Sequence, residues 1–146
     1  MNGQASTCAL TLNDVYVESI NFKRYDNFLE KDVSLSFKIG SEVEKSEDNK
    51  ECKACIDIII KDKNEGKLLI EIKYVGIFGI TNLSGLNNKQ QEDIIKKNTI
   101  AILFPFVRSF IATITSQTGI KPIILPPINV NSLIENNLKK KKNELS

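Results

Sequence analysis

The longest apolar stretch of the chain is ILFPFVRSFI at residues 102–111, which Gly119 separates from KPIILPPIN at residues 121–129. If the first part is a helix, one apolar stripe on it has the three-and-four spacing that packs against a sheet: Leu103, Val107, Phe110, Ile111 and Ile114. A second stripe is predicted to point away from the sheet: Ile100, Ile102, Phe104 and Phe106. This apolar surplus predicts either self-association or coverage by the chain that follows.

Helix signals also precede this stretch. Residues 87–98 are rich in helix formers, and Thr99 is predicted to cap a second helix. Pro105 is predicted to bend that helix without ending it, because the apolar spacing continues beyond it. Gly119 is the predicted stop.

The segment after this helix is apolar but cannot be helical. Residues 119–130 contain three prolines among apolar side chains, so we predict a connection that lies over another part of the molecule. Ser132 and Glu135 have the spacing of a capping box, which predicts a last helix that ends in the lysines at 139–142.

The first half of the chain has the alternation of strands. Residues 40–53 are predicted to be a charged connection and residues 62–66 a hairpin turn. Four strands followed by helices predict an α+β fold, in which a four-stranded antiparallel sheet carries helices packed on one face. The predicted strands are 9–22, 32–39, 54–61 and 67–75.

Length and charge favour one globular domain. The 146 residues carry a formal net charge of +2, and the composition is that of a folded protein. Without residues 139–146 the charged residues are 16 basic and 17 acidic, since that segment holds four of the 20 basic and one of the 18 acidic residues. We therefore predict a single domain over 1–146, with its core at about 9–138 and a basic tail.

The sequence predicts neither a membrane-spanning segment nor a secretory signal. The longest unbroken apolar run, residues 100–107, is far shorter than the roughly 20 residues of a bilayer-spanning helix. The beginning, MNGQASTCAL, lacks the basic start and apolar core of a secretory signal. These features predict a cytoplasmic protein without membrane insertion.

Catalytic and cofactor motifs are missing from the sequence. With 0 histidines, the chain lacks the usual general base near neutral pH, and its glycines do not have phosphate-loop spacing. Cys52 and Cys55 form a C-x-x-C pair, but only Cys8 remains as a further sulfur ligand, so free thiols are favoured over zinc or redox chemistry. We predict no enzyme activity, no cofactor and no metal site.

Four segments resemble one known family, the SecB-type protein-export chaperones. The family's helix signature reads roughly ILFPYAR followed by LAPVNF, and this chain has ILFPFVR at 102–108 and LPPINV at 125–130. EIKYVGIFGI at 71–80 resembles the family's fourth strand, and VYVESINF at 15–22 resembles its first. The resemblance covers about residues 9–138.

The resemblance implies an ATP-independent holdase that binds unfolded, export-bound polypeptides along apolar grooves, assembled as a dimer of dimers. For every implied residue, ordinary core packing is the alternative. The implied groove residues are Phe37, Ile77, Phe78, Phe104, Phe106, Ile123, Ile124 and Leu125. The implied oligomer interface contains Leu69, Ile70, Ile72, Tyr74 and Ile102.

The family also delivers clients to the SecA motor through carboxylates on the outer face of the sheet. Glu71 and Glu18 are the corresponding candidates here, whereas Ser19 and Lys23 stand where the family carries acids. SecB-like relatives that serve one antitoxin of a toxin–antitoxin module are therefore an alternative. These alternatives differ in the client and in whether SecA is a partner.

Two alternatives lie outside the chaperone class. The lysines at 139–142 could contact nucleic acid, although cations at a helix carboxyl end are favoured by the macrodipole alone, so we predict no nucleic-acid partner. A structural oligomer whose groove is filled by its own loop is the other alternative.

Overall fold

A computed structural model describes residues 9–25, 34–63, 66–81 and 85–127. Four antiparallel strands form one sheet in the order β1-β4-β3-β2, which confirms the predicted fold class. One helix, α1, follows the sheet and packs on one of its faces. The elements are β1 (Ala9–Arg24), β2 (Leu35–Lys45), β3 (Glu51–Asp62), β4 (Leu68–Thr81) and α1 (Asn88–Ser116).

The prediction of a charged connection at residues 40–53 is wrong, because most of these residues lie in strands. β2 continues to Lys45 and β3 begins at Glu51, and they are joined by a tight turn. In that turn the Asp48 carboxylate accepts hydrogen bonds from Ser46 Oγ at 2.6 Å and Lys50 N at 3.0 Å, and these bonds lower the pKa of Asp48. Charged residues fit β2 because β2 is an edge strand of the sheet, and its alternate side chains lie in solvent.

β1 keeps its apolar residues on one face although their spacing changes twice. Its register with β4 shifts between Leu12 and Asp14 and again between Val17 and Ser19. Each bulge adds one residue and reverses the alternation. The apolar side chains on both sides of the bulges therefore share the face of the sheet that α1 covers, here called the helix side: Leu10, Leu12, Val15, Val17, Ile20 and Phe22.

The core lies between α1 and the helix side of the two central strands. Alternate residues of β3 and β4 are buried there, whereas their sequence neighbours face the other way. This alternation is the pattern from which the strands were predicted. The fully buried members in these strands include Ile56, Ile58, Ile60, Leu68, Ile70 and Phe78.

α1 is one helix, so the predicted boundary at Thr99 is wrong. The cap is Asn87, whose side chain accepts from Gln90 N at 2.8 Å while the Gln90 side chain accepts from Asn87 N at 3.0 Å. Thr99 lies inside the helix, where its buried hydroxyl donates to Ile95 O at 2.7 Å. A threonine can satisfy its hydroxyl in either position, so the residue type alone did not distinguish them. The helix continues through Pro105, as predicted.

The apolar surplus of α1 is smaller than predicted. Ile100 and Phe104 were expected to point away from the sheet, but they are 0% and 6% exposed. Only Phe106, at 41%, is strongly exposed, and Ile102 is half-buried. The buried face of α1 is widest in the middle of the helix, where the adjacent pairs Thr99 and Ile100, and Leu103 and Phe104, are all buried.

That segment, residues 120–127, is here called the strap. Its Ile123 N–H donates to Thr115 Oγ1 at 2.8 Å, and the same hydroxyl donates to Ile111 O at 2.7 Å. Gly119, which has φ 84°, begins the turn, and its carbonyl accepts from Arg24 Nη1 at 3.2 Å. The strap confirms the predicted apolar connection: Ile120, Ile123 and Leu125 are buried.

Several predictions fall on residues outside the described ranges. These are Cys8, the capping box at Ser132 and Glu135, and the basic tail. By length and composition alone α1 would suffice to cross a membrane, as the core helix of a soluble protein also does, and 39% of its most apolar window is buried in the fold.

A candidate apolar binding surface on the helix side

Four of the exposed apolar side chains in the described ranges lie on the helix side of the sheet or on the elements that cover it. Phe37 is 37% exposed on β2 and Ile20 is 49% exposed on β1, both on the helix side. Phe106 is exposed on the outward side of α1, and Ile124 is 64% exposed on the strap. These four side chains are here called the candidate surface, although Ile20 and Phe37 lie on opposite edge strands and flank the core from two sides.

The predicted groove residues are not all brought together. Phe37, Phe106 and Ile124 belong to the candidate surface. Ile77 lies on the opposite face of the sheet, since it pairs with Lys53 and Asp14. The remaining members are buried in the core of the subunit, which is the core-packing alternative: Phe78, Phe104, Ile123 and Leu125.

β2 adds a row of backbone groups to this surface, because it is an edge strand with regular pairing along its length. Ser46 N donates to Glu51 O at 2.9 Å and Lys63 N donates to Ser34 O at 2.8 Å, so even-numbered residues bond to β3. Alternate residues of an antiparallel strand direct their N–H and C=O groups to the other side. Those directed at the free edge include Leu35, Phe37, Ile39, Val43 and Lys45.

Sequence reasoning did not assign Ile20, Ile39 or Val43 to the surface. Ile20 follows the second bulge of β1, so an alternation continued from Val15 and Val17 places it on the wrong face. Val43 lay in the predicted charged connection, although Ile39, Ser41, Val43 and Lys45 continue the alternation of β2. That continued period was the signal available in the sequence.

The predicted interface residues occupy two different faces. Ile70, Ile72 and Tyr74 are buried under α1, and the Tyr74 ring lies 5.8 Å from the Phe110 ring. Burial raises the pKa of Tyr74. Leu69 lies on the other face, half-buried, and Ile102 is half-buried on α1. The core of one subunit therefore accounts for three of these five residues.

The face away from α1, here called the outer face, carries both predicted motor contacts. The Glu18 carboxylate lies 3.0 Å from Lys73 Nζ and 3.9 Å from Lys53 Nζ. The hydrogen bond and charge of Glu18 raise the pKa of Lys73. Glu71 accepts a hydrogen bond from Asn21 Nδ2 at 2.9 Å. Both carboxylates are thus engaged within the chain.

The two cysteines of the C-x-x-C pair lie on opposite faces of β3. Cys52 pairs with Phe78 on the helix side, whereas Cys55 pairs with Val75 on the outer face. Both are buried, and burial raises the pKa of the Cys55 thiol. The two sulfurs cannot ligate one ion, and within the described ranges no group of three histidine, cysteine or carboxylate residues could hold a metal.

The family model and several of the similar proteins point to the same family. The sequence model of the family described as preprotein translocase subunit SecB matches residues 3–141. A protein-export protein SecB of Erythrobacter litoralis is 31% identical over 134 residues, 91% of this chain and 73% of that protein. An uncharacterized protein of Methanocaldococcus jannaschii is 31% identical over 135 residues, 88% and 84% of the two chains. With SecB of Anaplasma phagocytophilum the match spans 48% of this chain and 44% of that protein.

Solved structures share the fold. The SecB-like chaperone of Mycobacterium tuberculosis, solved with a peptide from the HigA1 antitoxin, has a TM-score of 0.66 and 10% identity, covering 82% of this chain and 88% of that one. A Streptococcus agalactiae protein of unknown function has a TM-score of 0.51 and 11% identity, covering 83% and 99%. At these identities the likeness concerns the fold alone.

Proposed function

This chain belongs to the SecB family, and we propose that it is an ATP-independent holdase that binds unfolded polypeptides on the helix side of its sheet. Family membership supports a chaperone role in protein export. The observation that carries the proposal is that Phe37 is exposed on the helix side of β2, the strand whose backbone groups line a free edge of the sheet within the described ranges. Chaperones of this family are not enzymes, and the proposal includes no catalytic step.

This surface suits clients of many sequences. An extended chain can hydrogen-bond through its backbone to an edge strand, whatever its side chains are. Apolar side chains such as Phe37 and Ile124 then supply affinity without directed hydrogen bonds. The combination predicts broad recognition of extended, apolar segments and rejection of folded proteins, whose backbone groups are already paired.

The assembly and location in the proposal follow the family. We propose a cytoplasmic dimer of dimers, with the outward side of α1 in contact between copies. In this assembly Phe106 belongs to the contact between copies, and clients bind the other residues of the candidate surface and the free edge of β2. From residue 98 to residue 116 the only charged residue is Arg108, so this side can be buried without separating ion pairs. The exposed residues on it are Ala101, Pro105, Phe106, Ser109 and Thr113.

Delivery to the SecA motor is the finer part of the proposal and rests on the family alone. Glu18 and Glu71 are the contacts it would use, and their partners within the chain would compete with a basic motor surface. Service to one antitoxin is the second candidate function. It is favoured by the Mycobacterium tuberculosis neighbour, which was solved with an antitoxin peptide. A toxin–antitoxin pair encoded beside this gene would support it.

The holdase proposal is tested by diluting a guanidinium-denatured reporter protein into the full chain without nucleotide and following light scattering. We expect several-fold excess chain to slow aggregation. Phe37→Ala should lower the affinity for the client about fivefold, because burying part of a phenylalanine contributes on the order of 1 kcal/mol. Tyr16→Ala is the matched control, since Tyr16 is 39% exposed but lies on the outer face.

Two results would contradict the proposal. Unchanged aggregation in the presence of the wild-type chain would exclude a holdase for that reporter class. Equal losses for the Phe37 and Tyr16 variants would exclude the helix side as the specific binding surface. Circular dichroism of each variant shows that it is folded.

A further inference from the structure

A cavity of about 170 Å³ lies between the end of β2 and the first turns of α1. Val43 and Lys45 line it from the helix side of β2, and Glu92, Ile95 and Lys96 line it from α1. Ile95 is 1% exposed and forms an apolar part of its wall. Because one water takes up roughly 30 Å³ of the liquid, the cavity has room for a short side chain with a polar end.

The charges around this cavity are unusual for the molecule. Lys45 and Lys96 are half-buried, and neither has an ion pair or side-chain hydrogen bond within the part of the chain that the structure describes. On the outer face, by contrast, Lys53 and Lys73 share Glu18. Glu92 also lines the cavity, but it is exposed and no ion pair joins it to either lysine. Two positive charges against one negative charge leave the cavity with an excess of one positive charge.

The cavity lies beside the path of a chain that pairs with β2. Val43 and Lys45 direct their backbone groups at the free edge, and their side chains are on the helix side. A client strand that continues the sheet there places every second side chain on the same side, next to these two residues. One of its side chains can therefore reach the cavity.

We infer that this cavity binds an aspartate or glutamate side chain of the extended client, an inference that rests on the proposed holdase function. A carboxylate is the complementary group, because each lysine ammonium can donate a charge-assisted hydrogen bond to it. A lysine or arginine at the same client position is repelled by both ammonium groups. Glu92 limits the gain in affinity, because its charge opposes the incoming carboxylate.

Synthetic peptides test this inference on the full chain. Three fluorescein-labelled peptides share apolar residues at alternate positions, with serine and asparagine between them, and differ at one central position that holds Glu, Gln or Lys. By fluorescence anisotropy at low salt we expect the Glu peptide to bind about threefold to fivefold more tightly than the Gln peptide, and the Lys peptide more weakly. High salt should reduce these ratios.

Three variants assign the preference to the cavity. The double variant Lys45→Met and Lys96→Met should bring the Glu-to-Gln affinity ratio close to one, whereas Glu92→Gln should raise it. Lys38→Met is the matched control and should leave the ratio unchanged, because Lys38 is also on β2 but faces the outer side.

The outcomes separate the two proposals. Equal binding of the Glu and Gln peptides, or a preference that survives the double variant, overturns the acidic site and leaves the holdase function intact. If none of the three peptides binds at all, it is the proposed function that fails.

Discussion

The two faces of the sheet are made by the same strands, yet they are closed in different ways. The helix side is covered by α1 and the strap, which bury a continuous apolar core. Among the described residues, no helix covers the outer face: Val75 and Cys55 are buried there, next to the ion pairs of Glu18. The difference teaches that apolar residues on a face do not by themselves decide which face a helix covers.

Adjacent residues of β3 test this contrast with the largest expected effect. Ile58 is 1% exposed on the helix side, whereas Ile59 is half-buried on the outer face. Ile58→Ala should lower the free energy of unfolding by about 2–5 kcal/mol, because it leaves a cavity under α1. Ile59→Ala should cost about 1 kcal/mol, since its neighbours and water can fill the space. Urea denaturation measures both, and equal losses would mean that the outer face is also packed as a core.

Two glycines of β4 test the same comparison, with an expected change in stability of intermediate size. A Cβ at Gly76 would lie 2.9 Å from Leu103 Cδ1 and 3.0 Å from Phe78 Cε1, both in the core. Gly76→Ala should therefore destabilise the fold by about 1–3 kcal/mol through overpacking. At Gly79 the Cβ would lie 3.2 Å from Nδ2 of Asn13, an exposed side chain that can move. Gly79→Ala should change the stability by no more than about 0.5 kcal/mol, and a larger loss than for Gly76→Ala would reverse the assignment of the faces.

The charges of the outer face give the smallest expected effect. The pKa of Lys73 is raised by Glu18, so the stabilisation by this pair is fully present below the ordinary lysine pKa and is lost as pH rises through the raised pKa. Glu18→Gln should slightly lower the melting temperature at about pH 7, and the difference from wild type should shrink as the pH rises past the ordinary lysine pKa of about 10.4. Glu44→Gln, on the same face but without an ion pair in the described ranges, is the control. A difference that persisted at high pH would show that Glu18 acts by packing.

Much of the fold could be read from hydrophobic period and turn chemistry. Alternation located four strands, and the three-and-four spacing located the sheet-facing stripe of α1, of which Leu103, Val107 and Ile111 are fully buried. The prolines after Gly119 correctly indicated a non-helical apolar segment. The signals failed where a residue type suits two environments, as at Thr99, or where charges lie on a strand edge, as at Glu42 and Glu44.

The candidate site was harder to predict from the sequence than the fold. The family resemblance implied Phe37, Phe106 and Ile124, which the structure leaves exposed, but it equally implied Phe78 and Phe104, which are buried in the core. Exposure depends on what packs over a residue, and residue type does not contain that information. The lysines at the cavity beside β2 gave no signal at all, because 20 basic residues are spread along the chain.

The sequence by itself determined the elements, their α+β order and the family to which the chain belongs, because periodicity and local motifs are properties of neighbouring residues. Only the tertiary structure decided which face of each strand is inside. Alternation with a period of two divides the side chains of a strand between two faces but does not tell which face is buried. One bulged residue moves all side chains that follow it to the other face. In β1 the bulge between Val17 and Ser19 places Val15 and Ile20 on the same face, which no local pattern fixes until β4 pairs beside it and α1 packs across both.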